Sequence, residues 1–256
     1  MTLLDALVAA GIDPLRMMPG TGCCSIVETV ELTAHAIKHG CAGMLMLPPF
    51  YYKSVSEEGL YRHFSEVVQR VGDARLRIYL YHIPPVAIVG ITPKLVERLL
   101  KAYPNAIAGM KDSSGDWNNT KTFLDAFAVR AGRAVSGFDV FVGSESFLLA
   151  NMRNGGVGAI SATANVNPAA IHKLYKQWNT ADDPDHQQSK LNVVREVFSS
   201  RKFPSMIAAL KQAIAIYRND PEWSRVRPPL VELTKEQSKL LAAELKAIGF
   251  TMPNIA

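Results

Sequence analysis

The sequence predicts an α/β fold: a TIM (β/α)8-type barrel with about six of its eight βα units present, followed by a C-terminal helical segment. Three observations carry this. Short apolar runs alternate with helical patterns over the first two thirds of the chain, an order that produces parallel strands joined by right-handed crossovers. Nearly every run gives way at its C-terminal end to Gly, Pro, Ser or Asn, the place where a barrel gathers its active site. No run leads through a G-x-G-x-x-G into a helix, so the fingerprint of an open dinucleotide-binding sheet is missing.

The opening segment, residues 2–10, reads as the tail of a helix, with Leu3, Leu4, Leu7 and Val8 on one face. Strands are expected at 16–19, 42–47, 76–81, 106–111, 139–143 and 157–161. Each is a nearly continuous apolar run, as suits a strand covered on both faces. Helical spacing recurs at 57–71, where Leu60, Phe64, Val67, Val68 and Val71 share a stripe, and again at 92–103 and 119–131. Thr92-Pro93 supplies an N-cap followed by proline at the first helical position. Beyond residue 165 the patterns are wholly helical, at 168–178, 190–199, 204–217 and 235–248, with 180–186 as a loop. The expected division is therefore 1–165, a barrel portion lacking its first strands, and 166–256, the last barrel helix plus the C-terminal helical segment. A barrel two units short would leave apolar strand edges unpaired. The expectation is that roughly two strands and one and a half helices are missing in front.

Composition narrows the class. Of 256 residues, 48% are hydrophobic and 20% charged, the balance of an ordinary globular domain. The 28 basic and 23 acidic residues give a net charge of +5, and the basic ones are scattered, which argues against nucleic acid as a partner. Three cysteines, two of them adjacent (Cys23, Cys24, Cys41), fit neither a disulfide framework nor a paired zinc site. Reduced thiols and a cytoplasmic location are expected. No apolar stretch approaches the ~20 residues that span a bilayer, so no membrane association is expected. Neither a metal nor an organic cofactor is expected, since no clustered set of His and carboxylate ligands stands out.

The residues that suggest chemistry lie at two strand ends. In the run 106–111 an apolar strand closes on Lys111, followed by Asp112-Ser113-Ser114-Gly115. Desolvation there disfavours a charged ammonium, and a neutral amine can attack a ketone to form an imine. The competing reading is a lysine that snorkels at the strand end and pairs with Asp112. The preceding strand ends on Tyr81, in Tyr81-His82-Ile83-Pro84. Neighbouring strand ends lie ~5 Å apart, so Tyr81 and Lys111 could share a pocket, with the phenol shuttling a proton. Its competing reading is a core tyrosine bonded to backbone. His82 alternates to the opposite face and reads as structural. Two glycine-rich stretches, Gly20-Thr21-Gly22 and Gly155-Gly156-Val157-Gly158, stand as phosphate cradles or as tight turns.

These motifs resemble the dihydrodipicolinate synthase and N-acetylneuraminate lyase family of pyruvate-type class I aldolases. The resemblance rests on Tyr81-x-x-Pro84, on Gly109-Met110-Lys111, on Gly20-Thr21-Gly22, on Pro49-Phe50-Tyr51-Tyr52-Lys53 leading to Glu58-Gly59-Leu60-Tyr61, and on Gly155 to Ser161 before Ala164-Asn165-Val166. It runs from about residue 1 to at least 215. It implies Lys111 as the Schiff-base lysine, Tyr81 as general acid/base and Tyr52 as a proton relay, often across a subunit contact. Gly143, Glu145, Ile160 and Ser161 would line the substrate pocket, and the chain would form a homo-oligomer, a dimer or tetramer. Two departures matter. The synthase branch carries an arginine where this chain has Val86, which argues against aspartate semialdehyde as substrate. The family's Gly-Thr-Thr-Gly-Glu, which binds the keto-acid carboxylate, is nowhere in the sequence.

Two function classes follow. One is a Schiff-base lyase (aldolase or dehydratase) for a 2-keto acid, such as a sugar-derived 2-keto-3-deoxy acid. The other is an N-terminally truncated, catalytically impaired or non-catalytic family member. A sugar-binding or regulatory barrel is a third idea, and the retained Lys111 and Tyr81 speak against it.

Overall fold

The computed structural model describes residues 1–128 and 137–253. Its elements run α1 (Thr2–Ala9), α2 (Ile26–Lys38), β1 (Met44–Met46), α3 (Glu57–Val71), β2 (Ile78–His82) and α4 (Pro84–Ala87). Then come α5 (Pro93–Ala102), β3 (Ile107–Asp112), α6 (Trp117–Phe127), β4 (Asp139–Val142), α7 (Leu148–Arg153) and β5 (Gly158–Ala159). The helices α8 (Pro168–Gln177), α9 (Pro184–Ser199), α10 (Met206–Arg218) and α11 (Lys235–Ala247) complete the chain. The strands form one sheet in the order β1-β2-β3-β4-β5, with β1 to β4 paired in parallel. Parallel strands taken in chain order, with helices between them, are the arc of a (β/α) barrel.

The chain divides into two compact units, Met1–Gly143 with Asn154–Gly158, and Ser144–Arg153 with Ala159–Ala256. In the first unit, the outward faces of β1 to β4 meet the apolar stripes of the helices. Met44, Ile78, Leu80, Ile107, Met110 and Val140 pack with Phe64, Leu95, Leu99 and Phe123 in one core. Burying side chains of this size stabilises by ~1.5–3 kcal/mol each. The helix α3 shows how its local sequence fixes its ends. Ser56 Oγ accepts from the Gly59 N–H at the start, and Gly72 closes the helix in the left-handed conformation with φ 58°. The second unit packs Phe198, Ala209, Leu210, Leu241, Leu245 and Phe250 in one cluster and Leu148, Leu149, Ile171, Leu174 and Leu191 in another.

Three expectations need correction. The segment 16–19 is not a regular strand. Asp13 caps a 3-10 turn over Pro14–Arg16, and pairing is reduced to an isolated bridge between Gly20 and Leu45. Pro19, with no N–H to give, accepts from Leu45 instead. The loop expected at 180–186 yields to α9, which begins at Pro184 because Asp183 accepts from the His186 N–H and proline suits the first turn. The helix expected over 119–131 begins earlier, at Trp117 behind the Asp116 cap; its positions 129–131 lie outside the described residues. Among the described residues no helix is long and apolar enough to cross a membrane.

Candidate active site

Lys111 and Tyr81 are brought together by the register of β2 against β3. Ile78 pairs with Ile107, but Tyr79 pairs with Gly109, so β3 carries one extra residue, Ala108. Such a bulge re-aims the side chains beyond it. From there Tyr81 lies directly beside Lys111, and Lys111 beside Phe141 of β4. Register partners in parallel strands share a face, and the Lys111 Nζ donates to Tyr81 Oη at 3.0 Å. The amine also sits 4.2 Å from the Tyr81 ring centroid, a distance at which the ring face attracts a cation.

Asp112 does not compete for the lysine. It turns to the opposite face and is buried, where it accepts from Thr120 Oγ1 at 2.6 Å, Asn119 Nδ2 at 3.1 Å and the Ser114 N–H at 2.8 Å. It thereby ties the loop after β3 to the first turns of α6. His82 shares that outward face and accepts from the Ile91 N–H through Nδ1 at 2.9 Å. Burial holds its pKa below the usual imidazole value, with the nearby Asp112 opposing.

Below the pair lies Tyr79, two residues before Tyr81 and on the same face. Its ring fills the space left by Gly43 and Gly109, where a methyl group would come within 2.6 Å and 2.9 Å of ring carbons. Its hydroxyl donates to Asp139 Oδ2 at 2.8 Å, and burial, reinforced by Asp139, raises its pKa far above that of a free phenol. Tyr79 and Asp139 form a polar layer that the motif reading missed. The signal was present in Tyr79-Leu80-Tyr81, since alternation places both tyrosines on one face.

The remaining residues singled out from the sequence are dispersed. Gly143 follows β4, and its N–H donates to the Asp112 carbonyl at 2.6 Å; a side chain there would run into Ser113. Tyr52 lies in the loop after β1 and is 75% exposed, stacked edge-on against Tyr51. Phe50, Tyr51, Val86 and Ile88 are exposed too, and Lys53 links their two loops by donating to the carbonyls of Phe50 at 2.5 Å and Ala87 at 3.4 Å. In the second unit, Glu145 is 1% exposed and accepts from Arg195 Nη1 at 2.9 Å and from Ser161 Oγ. Its Oε1 is buried without a hydrogen bond. Ile160 lies between β5 and Ser161 and is half-buried. Gly22 packs too tightly on the Leu47 backbone to admit a side chain, and Gly155 in the turn before β5 and Gly158 at its first position take positive φ.

The sequence offered no obvious ligand set, yet folding does assemble one. Asp5 of α1 meets His35 of α2 and His39, which caps the end of that helix, within 4.8 Å of one another. The spacing His35-x-x-x-His39, one helical turn, was the available signal.

A parallel (β/α) arc with an amine beside a phenol at adjacent strand ends belongs to the barrel class of α/β folds. The model of the dihydrodipicolinate synthetase family matches residues 2–248, and the chain belongs to that family of class I lyases. An uncharacterized DapA-like lyase of Chloroflexus aurantiacus is 30% identical over 242 residues, 94% of this chain and 77% of that protein. The 4-hydroxy-tetrahydrodipicolinate synthase of Thermus thermophilus is 43% identical over 166 residues, 65% of this chain and 52% of that enzyme. Among solved structures, dihydrodipicolinate synthase from Agrobacterium tumefaciens superposes with a TM-score of 0.82 at 31% identity, covering 96% of this chain and 80% of that one. YagE from E. coli K12, solved in complex with pyruvate, superposes with a TM-score of 0.80 at 27% identity and the same coverage.

Proposed function

We propose that this protein is a Schiff-base lyase that cleaves or dehydrates a 2-keto acid, a sugar-derived 2-keto-3-deoxy acid or another substrate that yields pyruvate. The observation that carries the reading is the 3.0 Å contact between Lys111 Nζ and Tyr81 Oη on register-paired strand ends. The uncharged amine of Lys111 attacks the C2 carbonyl, and Tyr81 gives its phenol proton to the carbinolamine hydroxyl, which leaves as water, so that a protonated imine and a Tyr81 phenolate remain. The imine draws the electron pair of the breaking C3–C4 bond into an enamine as a base takes the proton of the C4 hydroxyl and an aldehyde departs. Tyr81 is the group placed to accept that proton and return it to C3 of the enamine. Hydrolysis of the pyruvate imine frees Lys111.

Tyr52 is the relay in this proposal, and its exposure supports a homo-oligomer, a dimer or tetramer, in which it reaches the site of a second copy. Gly143, Glu145, Ile160 and Ser161 are assigned to the pocket around the distal end of the substrate. Val86, 73% exposed in the place of the synthase arginine, offers no charge for a second carboxylate. That favours cleavage or dehydration over condensation with aspartate semialdehyde. The free thiols of Cys23, Cys24 and Cys41 suit a cytoplasmic location.

Incubation with pyruvate and borohydride, followed by peptide mass spectrometry, tests the assignment. A reduced pyruvate adduct on Lys111 is expected; an unmodified Lys111, or labelling of another lysine, refutes it. An adduct on Lys111 without turnover of any 2-keto-3-deoxy acid would favour the second reading, a catalytically impaired family member. That reading draws on the lack of a Gly-Thr-Thr-Gly-Glu in the sequence.

A further inference from the structure

The helix α1 has no fully buried residue; Leu4 is partly buried against the core of the first unit. What it presents to α2 is Asp5. The Asp5 Oδ1 lies 2.7 Å from Nε2 of His35 and 2.7 Å from Nε2 of His39. The two imidazoles sit one turn apart, on α2 and at its C-terminal cap, with ring centroids 4.8 Å apart and planes inclined at 72°. They are therefore on the same helix face. His39 makes a hydrogen bond to the carboxylate, and the buried His35 Nε2 meets the same oxygen as an ion-pair contact. Two imidazole nitrogens thus converge on a single carboxylate oxygen.

We propose that Asp5, His35 and His39 form a binding site for a divalent cation of the zinc type, which pins α1 to α2. Two imidazole nitrogens and one carboxylate oxygen are a donor set for Zn2+, Co2+ or Ni2+. Mg2+ and Ca2+ prefer oxygen throughout. Three protein ligands leave a fourth position for water. The distances require a modest adjustment: bonds of ~2.0 Å in a tetrahedron need donors roughly 3.3 Å apart, so the carboxylate must withdraw by about 0.6 Å. The two imidazole nitrogens, within 4.8 Å of each other, must take the same spacing. Asp5, with 46% of its side chain exposed, has the freedom to withdraw. None of the three residues takes part in the chemistry proposed for Lys111, so the site is a structural clasp.

The test uses the whole chain stripped with chelator. Titration calorimetry with zinc alone should show one equivalent bound, and Asp5→Asn, His35→Gln and His39→Gln should each weaken that binding at least tenfold. Zinc should raise Tm and slow amide exchange across Thr2–Ala9 in the parent protein but not in the variants, while Mg2+ at the same concentration does neither. Metal-free variants that match the parent in circular dichroism and Tm exclude a folding defect as the cause. Should His35→Gln unfold, the exposed Asp5→Asn gives the same reading. The proposal is overturned by a parent protein that binds no zinc, or by variants that take up zinc as tightly as the parent, which would make the binding adventitious at the remaining histidines and cysteines.

Discussion

Tyr81→Phe removes one oxygen atom and leaves Lys111, its strand and its neighbours in place. Two effects follow, and they are separable. The first is loss of the 3.0 Å hydrogen bond to the lysine. For an ordinary hydrogen bond this is worth ~0.5–1.5 kcal/mol, and it acts before any chemistry, on how readily the imine forms. The second is loss of the proton carrier, which for a positioned general acid or base costs ~10²–10⁴-fold in rate, roughly 2.7–5.5 kcal/mol of barrier. Pyruvate itself separates them without knowledge of the natural substrate. Once bound as an imine it must shed and regain a methyl proton to pass through the enamine, so its methyl group exchanges with D2O. Exchange is followed by NMR and divided by the imine occupancy from borohydride trapping. The expected result is a per-imine exchange rate ~10²–10⁴-fold lower in Tyr81→Phe, with trapping reduced far less. A variant that exchanges at the wild-type rate per imine would remove Tyr81 from the mechanism. Exchange that persists in Lys111→Ala would remove the imine.

Other substitutions test the scaffold. Arg195→Met strands the buried Glu145 carboxylate, and the cost should lie near the lower end of the ~3–5 kcal/mol expected for breaking a buried pair, because Arg195 is partly exposed. Urea unfolding reads this, and Glu145→Gln with Arg195→Met should recover part of the loss; no difference between single and double variants would sever the coupling. Gly109→Ala forces a methyl group against the Asp139 backbone and within 2.9 Å of the Tyr79 ring, and should cost ~1–3 kcal/mol by overpacking, visible as a lower Tm. His63 is half-buried, and desolvation pushes its pKa below 6.5. The unfolded chain therefore takes up this proton first, and the stability it contributes is complete above pH 6.5 and declines as pH falls. His63→Gln should flatten that part of the pH–Tm curve, and an unchanged slope would contradict the assignment.

Much of this was legible from residue order. The span of α3 was readable to the residue, because its stripe runs unbroken from a serine cap to a glycine. Thr92-Pro93 likewise marked the start of α5. The strand at 16–19 was misread because apolar content was visible there, while the proline geometry that stops the ladder depends on where Leu45 lies. Lys111 and Tyr81 were identifiable as strand-end residues, but their contact is a matter of register, which hydrophobic pattern does not encode. Tyr79 with Asp139, Glu145 with Arg195 and Asp5 with the two histidines join residues 60, 50 and 30 or more positions apart. Each pairing exists only once the backbone has closed the distance.

The extra residue in β3 decides more than local twist. Lys111 stands four positions after Ile107, an even count, and in an uninterrupted strand the two would point the same way. The amine would then be driven among Phe64, Leu99 and Phe123, with no phenol in reach. Ala108 makes the count odd in effect, and the lysine emerges on the opposite face of the sheet, beside Tyr81. The facing of Lys111 thus hangs on parity. Deleting Ala108 would leave an odd count in a regular strand and keep the lysine beside Tyr81, whereas one further residue inserted there and paired in the ladder would turn it into the core.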